Sequence, residues 1–363
     1  MVFQWYLFVL VAAVAWFAKV ARQTYTIETR NGTETRYHWL PVLLIIVPLI
    51  ILAGTRPDIG DTKAYRSGFL EMPNSFVEII SSHVKDEGFS VFSYFLKRII
   101  GNNDVLYFLI ISSICLTCVA IMYQKYSCNF AMSMFLFIAS SDYIQWNYNG
   151  MRQFIAVSVI FVATDLLLQK KYIWYYAVVL LMSTFHASAL IMIPLTQFVL
   201  GGPWNKRTVL FTVFALVAIN FSGALRNLIA DFMAETQYSS EVNQFLETQG
   251  TNFFRVLVFC VPPVLALALK RYLLAIKSPI LDLSTNMSII SMGMYIISAV
   301  TSGVFVGRIP IYFSLYNYIL LPGLVENVFE KKSQKLVYGC IIICYLAFYW
   351  YQMTVAWDFS AYM

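Results

Sequence analysis

Charge is scarce in this chain. Asp, Glu, Lys and Arg make up only 12% of its 363 residues, about half of what a soluble domain carries. That shortage, with 60% hydrophobic residues and a mean hydropathy of +0.68, excludes an ordinary water-soluble globule. Histidine is almost missing, at three residues. The six cysteines (Cys115, Cys118, Cys128, Cys260, Cys340, Cys344) lie in or beside apolar stretches. Cys115 and Cys118 form a CxxC without a second pair or a nearby histidine, so they read as packing residues and no metal is expected. No Walker loop, GxGxxG, HExxH or nucleophile elbow occurs, which argues against chemistry driven by ATP or a nucleotide sugar. Internal repeats are absent as well. The net charge of +6 sits in short loops between apolar runs, where it orients a membrane protein and gives no reason to invoke nucleic acid.

What fills the chain is a series of apolar segments, at about 1–21, 39–54, 105–123, 129–146, 150–168, 172–184, 187–200, 208–230, 253–275, 286–307, 309–325 and 336–357. Read as spans, they predict an all-α polytopic integral membrane protein with about 11–12 transmembrane helices, as one domain over residues 1–363. Met1 to Ala21 lacks the basic start of a signal peptide and is expected to be a retained helix. Residues 89–100 are too short to span, and Phe92, Phe95, Leu96 and Ile99 recur at helical spacing. An interfacial or re-entrant helix is expected there.

Basic loops face the cytoplasm. Lys170-Lys171, Lys206-Arg207, Lys270-Arg271 and Lys331-Lys332 all fall inside if both termini lie outside and the chain breaks near Phe185-His186. The outer face then receives loops 55–104 and 231–252. The latter carries four acids and neither Lys nor Arg.

The polar residues cluster on that same face. Asn147 to Gln153 forms one group, with Arg152 at the mouth of an apolar span, where a helix N-terminus already attracts anions. Asn149 is placed to cap that helix. Arg56, Asp58, Asp61 and Arg66 form another group, followed by Asp86-Glu87-Gly88. Phe185-His186-Ala187-Ser188 is a third and Arg308 with Tyr312 a fourth. Guanidinium groups grip phosphate oxygens through paired hydrogen bonds; each arginine equally suits pairing with a carboxylate or reaching lipid headgroups. Asp61, Glu87 and His186 are candidates to take a proton from a hydroxyl. Turn formation explains the acids about as well, and a structural hydrogen bond explains His186. Tyr143, Trp146 and Tyr148 suit an interfacial belt or stacking on sugars.

Arg56-Pro57-Asp58-Ile59-Gly60-Asp61 with Tyr65, Glu87-Gly88-Phe89, Asn149 with Arg152-Gln153 and Ala156, Phe185-His186 with Ser188-Ala189, and Arg308-Ile309 with Tyr312-Phe313 stand in this order over residues 50–320. This set resembles the EpsG family of exopolysaccharide proteins, which are related in role to Wzy-type repeat-unit polymerases. Pro57 departs from the pattern, where a less constrained residue is expected. The resemblance implies a fold like the C-type membrane glycosyltransferases, and polymerisation of polyprenyl-diphosphate-linked oligosaccharides at the outer face of a bacterial plasma membrane without a cofactor. Donor and acceptor would both be lipid-linked, with export and chain-length-control proteins as partners. Arg56, Asp58, Arg66, Asn149, Arg152, Gln153, Arg308 and Tyr312 are then the expected substrate-binding residues, and Asp61, Glu87 and His186 the expected catalytic ones. A flippase of the same substrate, or a ligase or single-sugar transferase using polyprenyl donors, is the alternative.

Overall fold

The computed structural model describes residues 2–29, 32–81, 85–236 and 238–357. The carboxy-terminal end, expected on the outer side, falls outside them. Among the described residues the regular elements are helices apart from one two-stranded hairpin, β1 (Thr24–Thr29) and β2 (Gly32–Tyr37). Arg36 holds it in place, donating to the carbonyl oxygens of Lys125 (3.0 Å) and Ser127 (2.8 Å).

Among the described residues, five helical stretches are long and apolar enough to cross a membrane: Asp104–Tyr126, Met151–Leu168, Lys206–Ala234, Pro279–Val300 and Lys331–Ala356. Phe253–Ala268 with Lys270–Ile276 makes a sixth if the pair, bent by 70°, is one span. The chain is thus a polytopic helical membrane protein. The larger expected number counted several shorter apolar helices of 10–17 residues as full crossings.

The chain divides into two compact units, the boundary falling between Ile193 and Pro194. In the first, α1 (Val2–Val20), α2 (Trp39–Gly54), α3 (Thr62–Leu70), α4 (Phe76–Ser81), α5 (Glu87–Ile100), α6 (Asp104–Tyr126), α7 (Phe130–Ala139), α8 (Asp142–Asn149), α9 (Met151–Val162), α10 (Thr164–Leu168) and α11 (Tyr172–Ser183) follow one another. A 3-10 turn, Ala187–Ile191, then leads into α12 (Met192–Val199). The expected break at Phe185-His186 is therefore present.

Helix α6 packs along both α2 and α9. Its start is set by Asn103, whose side chain accepts from the Leu106 amide at 2.9 Å. Asn129 starts α7 in the same way through the Met132 amide at 3.1 Å, satisfying donors that a helix leaves open at its first turn. The segment 129–146, expected as one span, is broken. Ser141 adopts a left-handed conformation, with φ of 66°, and α8 sets off afresh. Tyr143 and Tyr148 on α8 donate to the Leu49 and Leu52 carbonyls of α2 at 2.7 and 3.2 Å. With Trp146 they are buried, so these rings serve neither a lipid belt nor a sugar platform. An aromatic with one polar atom suits such a site when that atom finds a partner.

In the second unit, the helix Pro279–Val300 is buried along most of its length and packs against Phe253–Ala268, Lys206–Ala218 and Asn317–Val328. Its polar residues are small or hydrogen-bonded, which allows close helix approach in a membrane. Asn286 donates to the Val199 and Gly202 carbonyls at 3.0 Å each and accepts from the Trp204 amide at 3.0 Å.

Candidate active site

The loop between α2 and α3 turns tightly at the Arg56–Asp61 motif. The Ile59 amide donates to the Pro57 carbonyl at 2.8 Å and the Thr62 amide to the Ile59 carbonyl at 3.1 Å. Pro57 thus fits the turn in which it stands. Gly60 has φ of 56°, and a β-carbon there would lie 1.5 Å from the Asn149 side-chain oxygen. That oxygen accepts from the Asp61 amide at 3.2 Å.

Asn149 was expected to cap the helix beginning near Met151. It is instead the last residue of α8; Gly150 stands at the cap of α9 without a side-chain cap bond. The Asn149 side-chain oxygen is engaged by the amide of Asp61, and the residue's place at the end of α8 leaves the cap position of α9 to Gly150. We predict that Gly60→Ala lowers stability in detergent by more than the roughly 1–2 kcal/mol of a left-handed conformation alone, because Asn149 must also move. Thermal or denaturant unfolding reads this out.

Arg152 lies in the first turn of α9. One guanidinium nitrogen pairs with Asp86 at 3.0 Å, and the Tyr65 ring centroid lies 5.8 Å from its guanidinium carbon. Asp86 precedes α5 and has φ of 60°. Its carboxylate is 5% exposed and also accepts from the Ala187 amide at 3.4 Å. Next to it, the Gly88 amide donates to the Thr184 carbonyl at 2.9 Å. The backbone approach is so close that a β-carbon on Gly88 would come within 2.1 Å of Thr184 Oγ1. The neighbouring Gln153 donates to Ser188 Oγ at 3.3 Å, and Ser188 Oγ lies 2.6 Å from His186 Nδ1. Consecutive residues of α9 thereby hold the start of α5 and the turn after α11.

The other arginines of this unit are differently employed. Arg66 is gripped by Asp58 and by Asp104, the latter at 2.6 Å. Arg56 is 3% exposed. It donates to the Asn147 carbonyl and, at 3.4 Å, to Ser112 Oγ. Its guanidinium carbon stands 4.4 Å from the Phe108 ring centroid and 5.2 Å from that of Tyr148. Among the described residues no carboxylate pairs with it. Burial, only partly offset by the nearby tyrosines and Cys115, pushes this guanidinium down to about 10, so it stays charged at neutral pH.

Arg152, Asp61 and Tyr65 line one cavity of about 590 Å³, together with Phe69, Met72 and Ile79. Against this geometry stands one family match: the model described as the EpsG family covers residues 39–362. The chain belongs to the EpsG family. No curated protein and no solved structure matches it.

Of the residues expected to act in this EpsG-family chain, the fold brings Asp61, Asn149, Arg152, Gln153 and His186 into one connected assembly. Glu87 is exposed at the start of α5. Arg308 ends a 3-10 turn, Val306–Arg308, in the second unit, and Tyr312 is buried in the helical turn Ile311–Ser314 that follows. Asp86 was passed over in favour of Glu87. A partial signal existed, since an Asp immediately before a helical run often caps it, but here the side chain makes no cap bond and goes to Arg152 and the Ala187 amide. Tyr65, quoted in the motif but given no role, is the second residue missed.

Proposed function

We propose that this protein is a membrane glycosyltransferase that joins polyprenyl-diphosphate-linked oligosaccharide repeat units into an exopolysaccharide, resembling Wzy-type polymerases and the C-type membrane glycosyltransferases. The observation that carries the reading is Arg152: a guanidinium braced from one side by Asp86 and presented, beside Asp61, to a cavity at the start of α9. In the reaction, the glycosidic C–O bond to the donor's diphosphate breaks as an acceptor hydroxyl oxygen bonds to the same carbon. The hydroxyl proton passes to a carboxylate, and the lipid diphosphate leaves with its bonding electrons.

Charge accumulates on the leaving diphosphate. Arg152 and the α9 amides are already oriented there, so little reorganisation is needed in the transition state. Asp61 shares the cavity with Arg152 and is assigned the base. His186, tied to Ser188 and Gln153, positions the α9 side of the site. Arg56, Arg66, Asp58 and Asn149 act as positioning residues that shape the Asp61 loop. Glu87 is left as an accessible acid. Arg308 and Tyr312 are proposed substrate contacts on the sequence pattern alone. The site is assigned to the outer face of a bacterial plasma membrane from the distribution of basic loops, with both termini on that side.

The test is incubation of the purified protein with a defined polyprenyl-diphosphate repeat unit. A product ladder spaced by whole repeats is expected. Movement of the lipid across the bilayer without new linkages would identify a flippase, and transfer stopping after one sugar or onto a different acceptor would identify a single-sugar transferase or ligase. Either result overturns the polymerase assignment.

A further inference from the structure

We infer that the cavity beside Arg152 takes the first isoprene units of the lipid carrier, with the diphosphate at Arg152 and the prenyl chain running between α3 and α5. This rests on the reading of Arg152 as the diphosphate contact and adds the placement of the chain. The argument starts from helix periodicity. Asp61, Tyr65, Phe69 and Met72 recur every three or four residues along and just beyond α3, so they lie on one face, and all four line the cavity. At about 1.5 Å of rise per residue, that face runs roughly 16 Å from the Arg152 end to the Met72 end.

The two ends differ in chemistry. Near Arg152 the walls offer a cation, a carboxylate and the Tyr65 ring. At the far end they are Met72, Pro73 and Ile79. The polar groups of that half are already engaged. Lys97 donates to the Leu70 and Met72 carbonyls at 2.7 and 3.1 Å. Arg98 donates to the Asn74 carbonyl at 2.5 Å. Ser93 and Tyr107 bond each other at 2.9 Å. A sugar there would lose its hydrogen bonds to water and find few replacements, at a cost of roughly 1–3 kcal/mol for each group left unpaired. A hydrocarbon loses nothing of the kind.

The apolar end also continues outward. Ile79 lies on α4, whose Val77 and Ile80 are exposed, as are Phe95 and Ile99 of α5. The Phe76 ring joins the two helices, with its centroid 5.8 Å from that of Phe95. In a chain that spans a bilayer, this surface meets lipid, the phase from which a prenyl chain arrives.

Gly68 supplies a clean test. It lines the cavity, and a β-carbon there meets nothing within 4 Å, so a side chain can start from this position and extend into the cavity. Detergent-purified full-length protein is titrated with dimethylallyl, geranyl and farnesyl diphosphates, with inorganic diphosphate as the headgroup alone. We expect affinity to rise at least tenfold from five to ten carbons. Gly68→Phe should cut that gain to within twofold while leaving the dimethylallyl affinity within twofold of the parent. Ala64→Leu, at a second lining position, should act in the same direction.

A chain-length gain unchanged in both variants, or none in the parent, overturns the inference. The elongation assay separates this from the function itself. Repeat addition without a chain-length gain removes only the prenyl site, whereas a Gly68-sensitive gain without any glycosyl transfer removes only the polymerase.

Discussion

Replacing Arg152 with alanine lowers the rate of repeat-unit addition by about 10²–10³, the cost of deleting one preorganised donor aimed at developing negative charge. Arg152→Lys recovers little of it. A lysine carries the charge as a compact point and lacks the planar fork, so it cannot hold Asp86 while offering a second paired contact to phosphate. Two features keep this from being a folding effect. The Arg152 side chain is 35% exposed, and α9 is also held by Gln153 through Ser188. The informative companion is Asp86→Asn, which keeps the shape of the brace and removes its charge. It should leave diphosphate binding intact or tighter while lowering the maximal rate, because Arg152 gains net charge and loses its fixed orientation. Rate and half-saturation, measured separately on the same lipid-linked donor, check this. Alanine at 152 with an unchanged elongation rate would sink the assignment.

Replacing Arg56 with methionine leaves the protein folded, at equal or higher stability by as much as about 1–4 kcal/mol, and costs more than tenfold in elongation. The stability half follows from burial. A guanidinium taken out of water needs full compensation, and apolar replacements of buried charges are often neutral or stabilising. Arg56 has a carbonyl, a distant hydroxyl and two aromatic faces, with no carboxylate partner among the described residues. Its lowering to about 10 from the ordinary arginine value corresponds to a cost on the order of 3 kcal/mol at neutral pH. For a base whose folded value is lowered, the sign is that this cost is present at neutral pH and diminishes as pH rises through about 10. The activity half follows from place. Arg56 fixes the Asn147 carbonyl at the end of α8, two residues before the Asn149 side chain that holds Asp61. A fixed unit charge a turn or two of helix away is also worth on the order of 1–2 kcal/mol to an anion at an effective dielectric near 20. Unfolding curves and elongation rates on one preparation test both halves, and a variant that is both less stable and fully active would contradict both.

What could be read from residue order alone was whatever repeats locally. Apolar runs showed the helical membrane class, and the amphipathic spacing from Phe89 to Ile99 announced α5, although its bounds are Glu87–Ile100. Arg152 stood out because charge at the edge of an apolar run is costly, and Asp61 as a carboxylate in a polar group assigned to the same face. Partners were another matter. Asp61 meets Asn149 across 88 residues and Asp86 meets Ala187 across 101, and no local pattern encodes such pairings. Hence Asn149 read as a helix cap, and Glu87 stood as a candidate acid with Asp61 and His186 while its neighbour Asp86 did not. The break at Ser140-Ser141 escaped for a different reason: serine is common inside membrane helices, and only backbone geometry shows that Ser141 turns left-handed. Arg56 read as an assisting phosphate ligand beside Arg152, and its burial was out of reach of residue order because exposure is tertiary.

Arg152 and Gln153 are adjacent on α9, so their side chains leave the helix axis about 100° apart, and each grips a different neighbour. That pair of anchors pins the helix in rotation as well as in position. Only Gly150 separates α9 from α8, which is itself tied to α2 by Tyr143 and Tyr148. A one-residue deletion between 142 and 150 would have no slack in which to be absorbed. It would swing α9 like a screw advanced a quarter-turn, carrying Arg152 off Asp86 and Gln153 off Ser188 together. The spacing of this stretch is therefore a functional constraint in its own right, one that forbids insertions and deletions where many single substitutions would pass.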